Sequence, residues 1–295
     1  MPMKGKTVLI TGASSGIGFA TAIALARMGA CILLVCRDAG RGADAQAAVA
    51  DVATEIAPKL LLADLSSLHD VRALAEELHR HFPKIDVLIN NAAGMFSERG
   101  VTGDGFERTF AINHLAPFLL TNLVIDLLKA AGSARIVNVA AESPLARLDF
   151  DNLQGEKRYG FLSAYFRSKL ENVIFSNELA RRLEGSGVTV NSMSPGPTRT
   201  RFGDNMTGLP ALFPFVMKRL FPGPESGART LVYLASSPDV EGVTGQFFLR
   251  QRARTTRPVT LDREVAAQLW QISAVLVGLP ADFLPAVPQS SRSAA

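Results

Sequence analysis

Two cysteines, four histidines, three tyrosines and one tryptophan are few for 295 residues, and each scarcity removes a class of protein. Cys31 and Cys36 share one apolar run. Residues an odd number of positions apart on a strand face opposite sides, so these thiols cannot pair locally and no disulfide framework is expected. A reducing compartment suits the chain. The histidines are scattered and there is no Cys-x-x-Cys, so no metal site is expected. No basic, apolar and cleavage regions precede the first apolar run at Thr7, which makes a cytoplasmic protein the expectation. The longest late uncharged run, residues 265–281, contains Gln268, Gln271 and Ser273. It is short for a bilayer span and amphipathic, so the contact expected with a membrane is peripheral at most.

Charge of one sign is also lacking: 31 basic against 27 acidic residues leave +4. The densest basic group, Arg250, Arg252, Arg254 and Arg257, reads as a solvated loop, and no nucleic-acid partner is expected. Hydrophobic residues at 47% and charged residues at 20% exclude a disordered chain.

What is present is an alternation. Apolar runs at residues 7–10, 31–36, 59–63, 87–90, 135–139, 188–193 and 243–248 read as strands. Helical patterns lie between them at 18–28, 43–56, up to His81, 106–129, 165–183 and 226–234. Continuous apolar strands separated by helices predict an α/β fold: a single doubly wound parallel sheet, Rossmann-type, with helices on both faces. One domain is expected over residues 1–280, with a flexible tail over 281–295 rich in Pro, Ser and Ala.

Thr11-Gly-Ala-Ser-Ser-Gly-Ile-Gly18 follows the first strand and opens the first helix. Gly12 permits the tight turn, Gly16 lets a pyrophosphate approach the backbone, and Gly18 allows close packing. Ser14, Ser15 and Ile17 complete a cradle at a helix N-terminus, whose free N–H groups and dipole favour phosphates. The spacing is G-x-x-x-G-x-G, and its strand–helix setting points to dinucleotide binding.

Further segments occur in order: Asp64-Leu65, Asn90-Asn-Ala-Ala-Gly94, Asn113, Tyr165-Phe-Arg-Ser-Lys169 and Pro195-Gly-Pro-Thr-Arg-Thr200. With the glycine turn they resemble the short-chain dehydrogenase/reductase family over residues 4–279. Val35-Cys-Arg-Asp38, Asp151-Asn-Leu-Gln-Gly-Glu-Lys157, Asn177-Glu-Leu-Ala-Arg-Arg-Leu183 and Leu269-Trp-Gln-Ile-Ser273 resemble its retinol-dehydrogenase-like branch. The resemblance implies an oxidoreductase with a nicotinamide cofactor. It places Asp64 and Leu65 at the adenine, and Asn91 and Ala92 along the dinucleotide. Pro195, Gly196, Thr198 and Thr200 fall in a loop closing over the nicotinamide. Family dimers and tetramers often use the helix that carries the tyrosine, which implies a homodimer or tetramer here.

At the end of the second strand stand Arg37 and Arg41, with Asp38 between them. A guanidinium binds a phosphate bidentately where a carboxylate would repel it, so local charge favours NADP(H) over NAD(H), with Asp38 as the opposing feature. Of the three tyrosines only Tyr165 has a lysine four residues on. Positions i and i+4 share a helix face, and a cation beside a phenol lowers its pKa towards a useful acid/base range. The resemblance makes Tyr165 the proton donor, Lys169 its tuner and the holder of the ribose hydroxyls, and Asn113 the anchor of a water relay.

Where the family has a serine after the fifth strand, this chain reads Asn138-Val-Ala-Ala-Glu-Ser143, with Ala141 at the serine position. Three explanations stay open: Ser143 takes over as the donor, an inactivating change was introduced, or the protein does other chemistry. One alternative to a reductase is therefore a dinucleotide-binding relative with weak or no redox activity, such as a sensor, a scaffold or a non-redox pathway enzyme. The resemblance implies a substrate lid over about residues 201–225, where the apolar stretch from Met206 to Pro224 carries Lys218 and Arg219. Its composition suits a lipophilic aldehyde, ketone or secondary alcohol, and equally an interfacial dip into a membrane surface or core packing of an inserted helix.

Overall fold

A computed structural model describes residues 2–196, 198, 222–280, 283 and 284. Seven parallel strands lie side by side: β1 (Thr7–Thr11), β2 (Cys31–Cys36), β3 (Lys59–Leu62), β4 (Val87–Asn90), β5 (Ala134–Val139), β6 (Val188–Ser194) and β7 (Phe247–Leu249). The sheet order is β3-β2-β1-β4-β5-β6-β7, and β8 (Arg252–Arg254) closes it as an antiparallel edge. The chain order reverses between β1 and β4, and in open α/β sheets the crevice at that switch point takes the ligand.

Strand residues alternate between two cores because successive side chains point to opposite faces. Leu9, Leu33, Leu88 and Ile136 enter one, while Ile10, Leu34, Ile89 and Val137 enter the other. The cysteines divide the same way, Cys31 in the first core and Cys36 in the second. Both are free thiols. The helices are α1 (Gly16–Arg27), α2 (Ala39–Ala50), α3 (Leu68–His81), α4 (Arg108–Phe110), α5 (Ala116–Leu123), α6 (Ile125–Lys129), α7 (Phe161–Arg182), α8 (Pro224–Ser236) and α9 (Arg263–Leu276).

Besides shifted ends at α7, which starts at Phe161 rather than Tyr165, and at β7, which covers Phe247–Leu249 rather than 243–248, four elements depart from expectation. First, α2 starts four residues early because Asp38 caps it, accepting the Arg41 N–H at 2.8 Å. Second, the long helix expected over 106–129 is interrupted by a π-turn at Ala111–Leu115. Third, Arg250, Arg252 and Arg254 lie not on a loop but on the β7–β8 hairpin, whose turn residues Arg250 and Gln251 both have positive φ, 51° and 62°, while Arg257 follows it and pairs with Glu142. Its edge strand is exposed and cationic, a combination that discourages strand addition. Fourth, the amphipathic late run forms α9, which packs Trp270 against α7 and sets Ser273 on His114 of the π-turn. Every residue of α7 from Arg167 to Ala180 is buried within the chain. No helix among the described residues is long and apolar enough to cross a membrane.

That burial includes a carboxylate. Glu171 is fully buried, its nearest cation is the Arg167 guanidinium at 3.7 Å, and neither of its oxygens accepts a hydrogen bond. Burial raises its pKa to about 8. A carboxyl with a raised folded pKa binds its proton more tightly folded than unfolded, so its contribution to stability falls as pH rises from the ordinary carboxylate range to about 8. Glu171→Gln is therefore expected to raise Tm at pH 8 by several degrees and to leave it nearly unchanged in mild acid. Calorimetry at the two pH values checks this, and an equal rise at both would refute it.

Candidate active site

At the switch point a cavity of about 700 Å³ opens over the carboxyl ends of β1, β2, β4, β5 and β6. The glycine turn forms its floor. Gly12 has φ +66° and a side chain there would meet Ala92 at 2.9 Å, while one at Gly18 would meet the Gly12 carbonyl at 2.5 Å. Gly18 is thus a close-approach position behind the cavity wall, and it does not line the cavity. Ser15 stands at the N-cap of α1 without its side chain capping the helix, so the first N–H groups of α1 keep their capacity for an anion. Asn91 braces the turn from the next strand, donating to the Thr11 and Gly12 carbonyls at 2.8 and 3.2 Å.

Arg37, Asp38 and Arg41 line the cavity beyond β2. Asp38 is held as the α2 cap, and the hydrogen bond from the Arg41 backbone, helped by the nearby guanidinium groups, lowers its carboxyl pKa. Arg41 lines the cavity beside Arg37, and the Asp-x-x-Arg cap is the sequence signal that puts it there. Asp64 accepts the N–H and hydroxyl of Ser66 at 2.9 and 2.8 Å, a turn that places Leu65 on the wall.

On the opposite wall the three tyrosines separate. Tyr159 donates to the Phe96 carbonyl, Tyr233 packs beside the second core, and Tyr165 lines the cavity. Lys169, one turn on, is buried with its Nζ 5.8 Å from the centre of the Tyr165 ring, and it donates to the Val139 carbonyl at 3.0 Å. Burial lowers the Lys169 ammonium to about 7 and raises the Tyr165 phenol above its ordinary value. The expected lowering of the phenol by Lys169 is thus reversed in the protein alone. Desolvation penalises both charged forms, and it outweighs their attraction at this separation.

Asn113 sits behind this wall rather than in it. Its carboxamide accepts the Gly94 N–H at 2.7 Å and donates to the Gly94 carbonyl and the Ser168 hydroxyl, each at 2.9 Å. Ala141, Glu142 and Ser143 all line the cavity. The Ser143 Oγ accepts the Leu145 N–H at 3.2 Å, and Arg257 ties the loop down by donating to Glu142 at 2.9 Å and to the Ala146 carbonyl at 2.8 Å. The Glu142–Arg257 pair leaves no mark in the sequence, because its partners are 115 positions apart. Pro195, Gly196 and Thr198 reach the cavity from β6, with the Thr198 hydroxyl donating to the Gly196 carbonyl. Thr200 and residues 201–221 of the expected lid lie outside the described residues.

A family model described as short chain dehydrogenase matches residues 6–208. The chain belongs to the short-chain dehydrogenase family. Retinol dehydrogenase 14 of Homo sapiens is 44% identical over 94% of this chain and 88% of its own. A protein of Streptomyces sp. (strain C5), assigned as a daunorubicin C-13 ketoreductase, is 41% identical over 94% of each. A crystal structure of a Mycobacterium paratuberculosis protein superposes with a TM-score of 0.73 at 32% identity, covering 94% of both chains. The family consists of oxidoreductases that bind a nicotinamide dinucleotide. The cavity suits such a ligand: a glycine floor at a helix N-terminus, cations beyond β2, and a phenol with an amine beside β5.

Proposed function

We propose that the protein is an NADP(H)-dependent oxidoreductase acting on lipophilic aldehydes, ketones or secondary alcohols, with Tyr165 as general acid/base. The observation that carries the reading is the pairing, in one cavity, of the arginines beyond β2 with Tyr165 and Lys169 beside β5. β2 and β5 are three strand spacings apart, about 14 Å, which suits an extended dinucleotide. Gly12, Gly16 and the α1 N-terminus would hold the pyrophosphate, Arg37 and Arg41 the 2′-phosphate, Asp64 and Leu65 the adenosine, and Lys169 the ribose hydroxyls. When bound, the dinucleotide supplies the hydride. Tyr165 gives its phenolic proton to the carbonyl oxygen, and Ser143 polarises that oxygen by a second hydrogen bond.

The names of the relatives, retinol dehydrogenase and daunorubicin ketoreductase, point to apolar alcohols and ketones. Known family structures hold NADP in some cases and NADH in others, so the NADP(H) preference rests on local charge. Arg37→Ala is expected to raise KM for NADPH by about 10- to 100-fold, the worth of a charge-assisted bond to phosphate, and to change KM for NADH by less than about threefold. Equal changes for both dinucleotides would contradict the assignment.

Ala141 keeps a second reading in play, a dinucleotide-binding relative with little redox activity. NADPH oxidation over a panel of lipophilic aldehydes and ketones decides between them. Turnover that disappears in Tyr165→Phe supports the reductase, and tight NADPH binding without turnover supports the second reading. We propose a homo-oligomer whose contact uses a surface other than the middle of α7, because those residues are buried within the chain. We also propose a reducing, cytoplasmic compartment, which the two free thiols suit.

A further inference from the structure

Behind Lys169 runs a buried polar chain. Asn113 is followed four residues on by Pro117, at the position whose N–H an α-helix would give to the Asn113 carbonyl, and proline has none. The carbonyl accepts instead the side-chain amide of Asn172, at 2.8 Å. The same amide reaches towards the Val139 carbonyl at 3.5 Å, the group to which Lys169 donates. On the far side of Asn172, its Oδ1 lies 3.4 Å from the Nδ1 of His114. The His114 Nε2 lies 2.8 Å from the hydroxyl of Ser273 on α9.

These contacts fix the protons. The Asn172 nitrogen faces carbonyl groups, so its oxygen faces the imidazole and must accept. His114 therefore carries its proton on Nδ1, and Ser273 donates to the bare Nε2. The ring is stacked on Phe110 and edged by Phe175, with burial lowering its pKa to about 4. A neutral imidazole is thereby maintained through the physiological range.

We propose that His114, Asn172 and Ser273 are positioning residues: they tie α9 to the carbonyl groups of Asn113 and Val139 and so set where the Lys169 amine stands. None of the three lines the cavity, so each acts through another group. The role in turnover rests on the reductase reading above, but the hydrogen-bond order does not.

The test has two arms on the full chain. Nitrogen-15 NMR of His114 is expected to show the Nδ1–H tautomer, the minority form of free imidazole. Carbonyl carbon-13 shifts of Asn113 and Val139 are expected to move in Asn172→Leu. In the kinetic arm, Asn172→Leu is expected to lower kcat by about tenfold while KM for NADPH changes by less than about threefold. Ser273→Ala, a milder change that removes one hydroxyl, is expected to act in the same direction and covers the case in which Asn172→Leu fails to fold. An Nε2–H tautomer, carbonyl shifts unmoved in the folded variants, or a normal kcat in both overturns the proposal. If the wild-type protein reduces no carbonyl, the functional reading falls and the NMR arm alone decides this one.

Discussion

Tyr165→Phe is expected to lower NADPH-dependent reduction of a lipophilic aldehyde by about 10³-fold, within the range for loss of a general acid, with KM for NADPH changed by less than about threefold. The substitution removes one oxygen and keeps the ring, which packs edge-on to Phe166 with centroids 5.4 Å apart. Fold and cofactor site should therefore survive. Burial holds the phenol protonated at neutral pH, the form that reduction requires. On the proposed mechanism, charge at Lys169 eases departure of that proton, and burial lowers the ammonium pKa to about 7. The sign follows directly: below that pH Lys169 is a cation and favours a developing phenolate, and above it that help fades. Reduction should thus decline as pH rises through about 7. Lys169→Met should be slower throughout and should lack that decline. A Tyr165→Phe protein with near-normal turnover would remove Tyr165 from the chemistry.

Ser143→Ala is expected to cost about 10²-fold in kcat, the typical loss of one donor to a developing oxyanion, and Ala141→Ser introduced beside it should recover most of that loss. The Ser143 oxygen already accepts the Leu145 N–H, and this use of a lone pair leaves its own O–H proton to give. The loop that carries it is pinned by Arg257 to Glu142 and to the Ala146 carbonyl, so the hydroxyl is held rather than wandering. Arg257→Ala should then lower kcat in the same direction by loosening that loop. The opposite pattern, a neutral Ser143→Ala and a gain of about 10²-fold from Ala141→Ser alone, would mean that the second donor is missing from the natural site.

Much of the fold was legible because buried parallel strands leave a simple mark: the runs at residues 31–36 and 87–90 became β2 and β4 with those ends. The glycine turn was legible for a steric reason, since its backbone admits no side chain at Gly12 or Gly18. Elements governed by local capping or by distant partners were harder to read. The early start of α2 depended on one side-chain hydrogen bond at Asp38, and the break in the long helix on a π-turn just ahead of Pro117. β8 has no apolar face to announce it, and only pairing with β7 makes it a strand.

The residue types by themselves determined the α/β class, the glycine turn at the start of α1 and the Tyr165–Lys169 spacing, because each is written in neighbouring positions obeying a fixed period or a steric limit. Tertiary structure alone decided that Asp38 serves as a cap, that Glu142 meets Arg257 from the far end of the chain, that α9 covers α7, and that desolvation rather than mutual attraction sets the charge states of Tyr165 and Lys169. Those depend on which distant segments come together and on how much water they exclude, and neither quantity is carried by any local stretch of sequence.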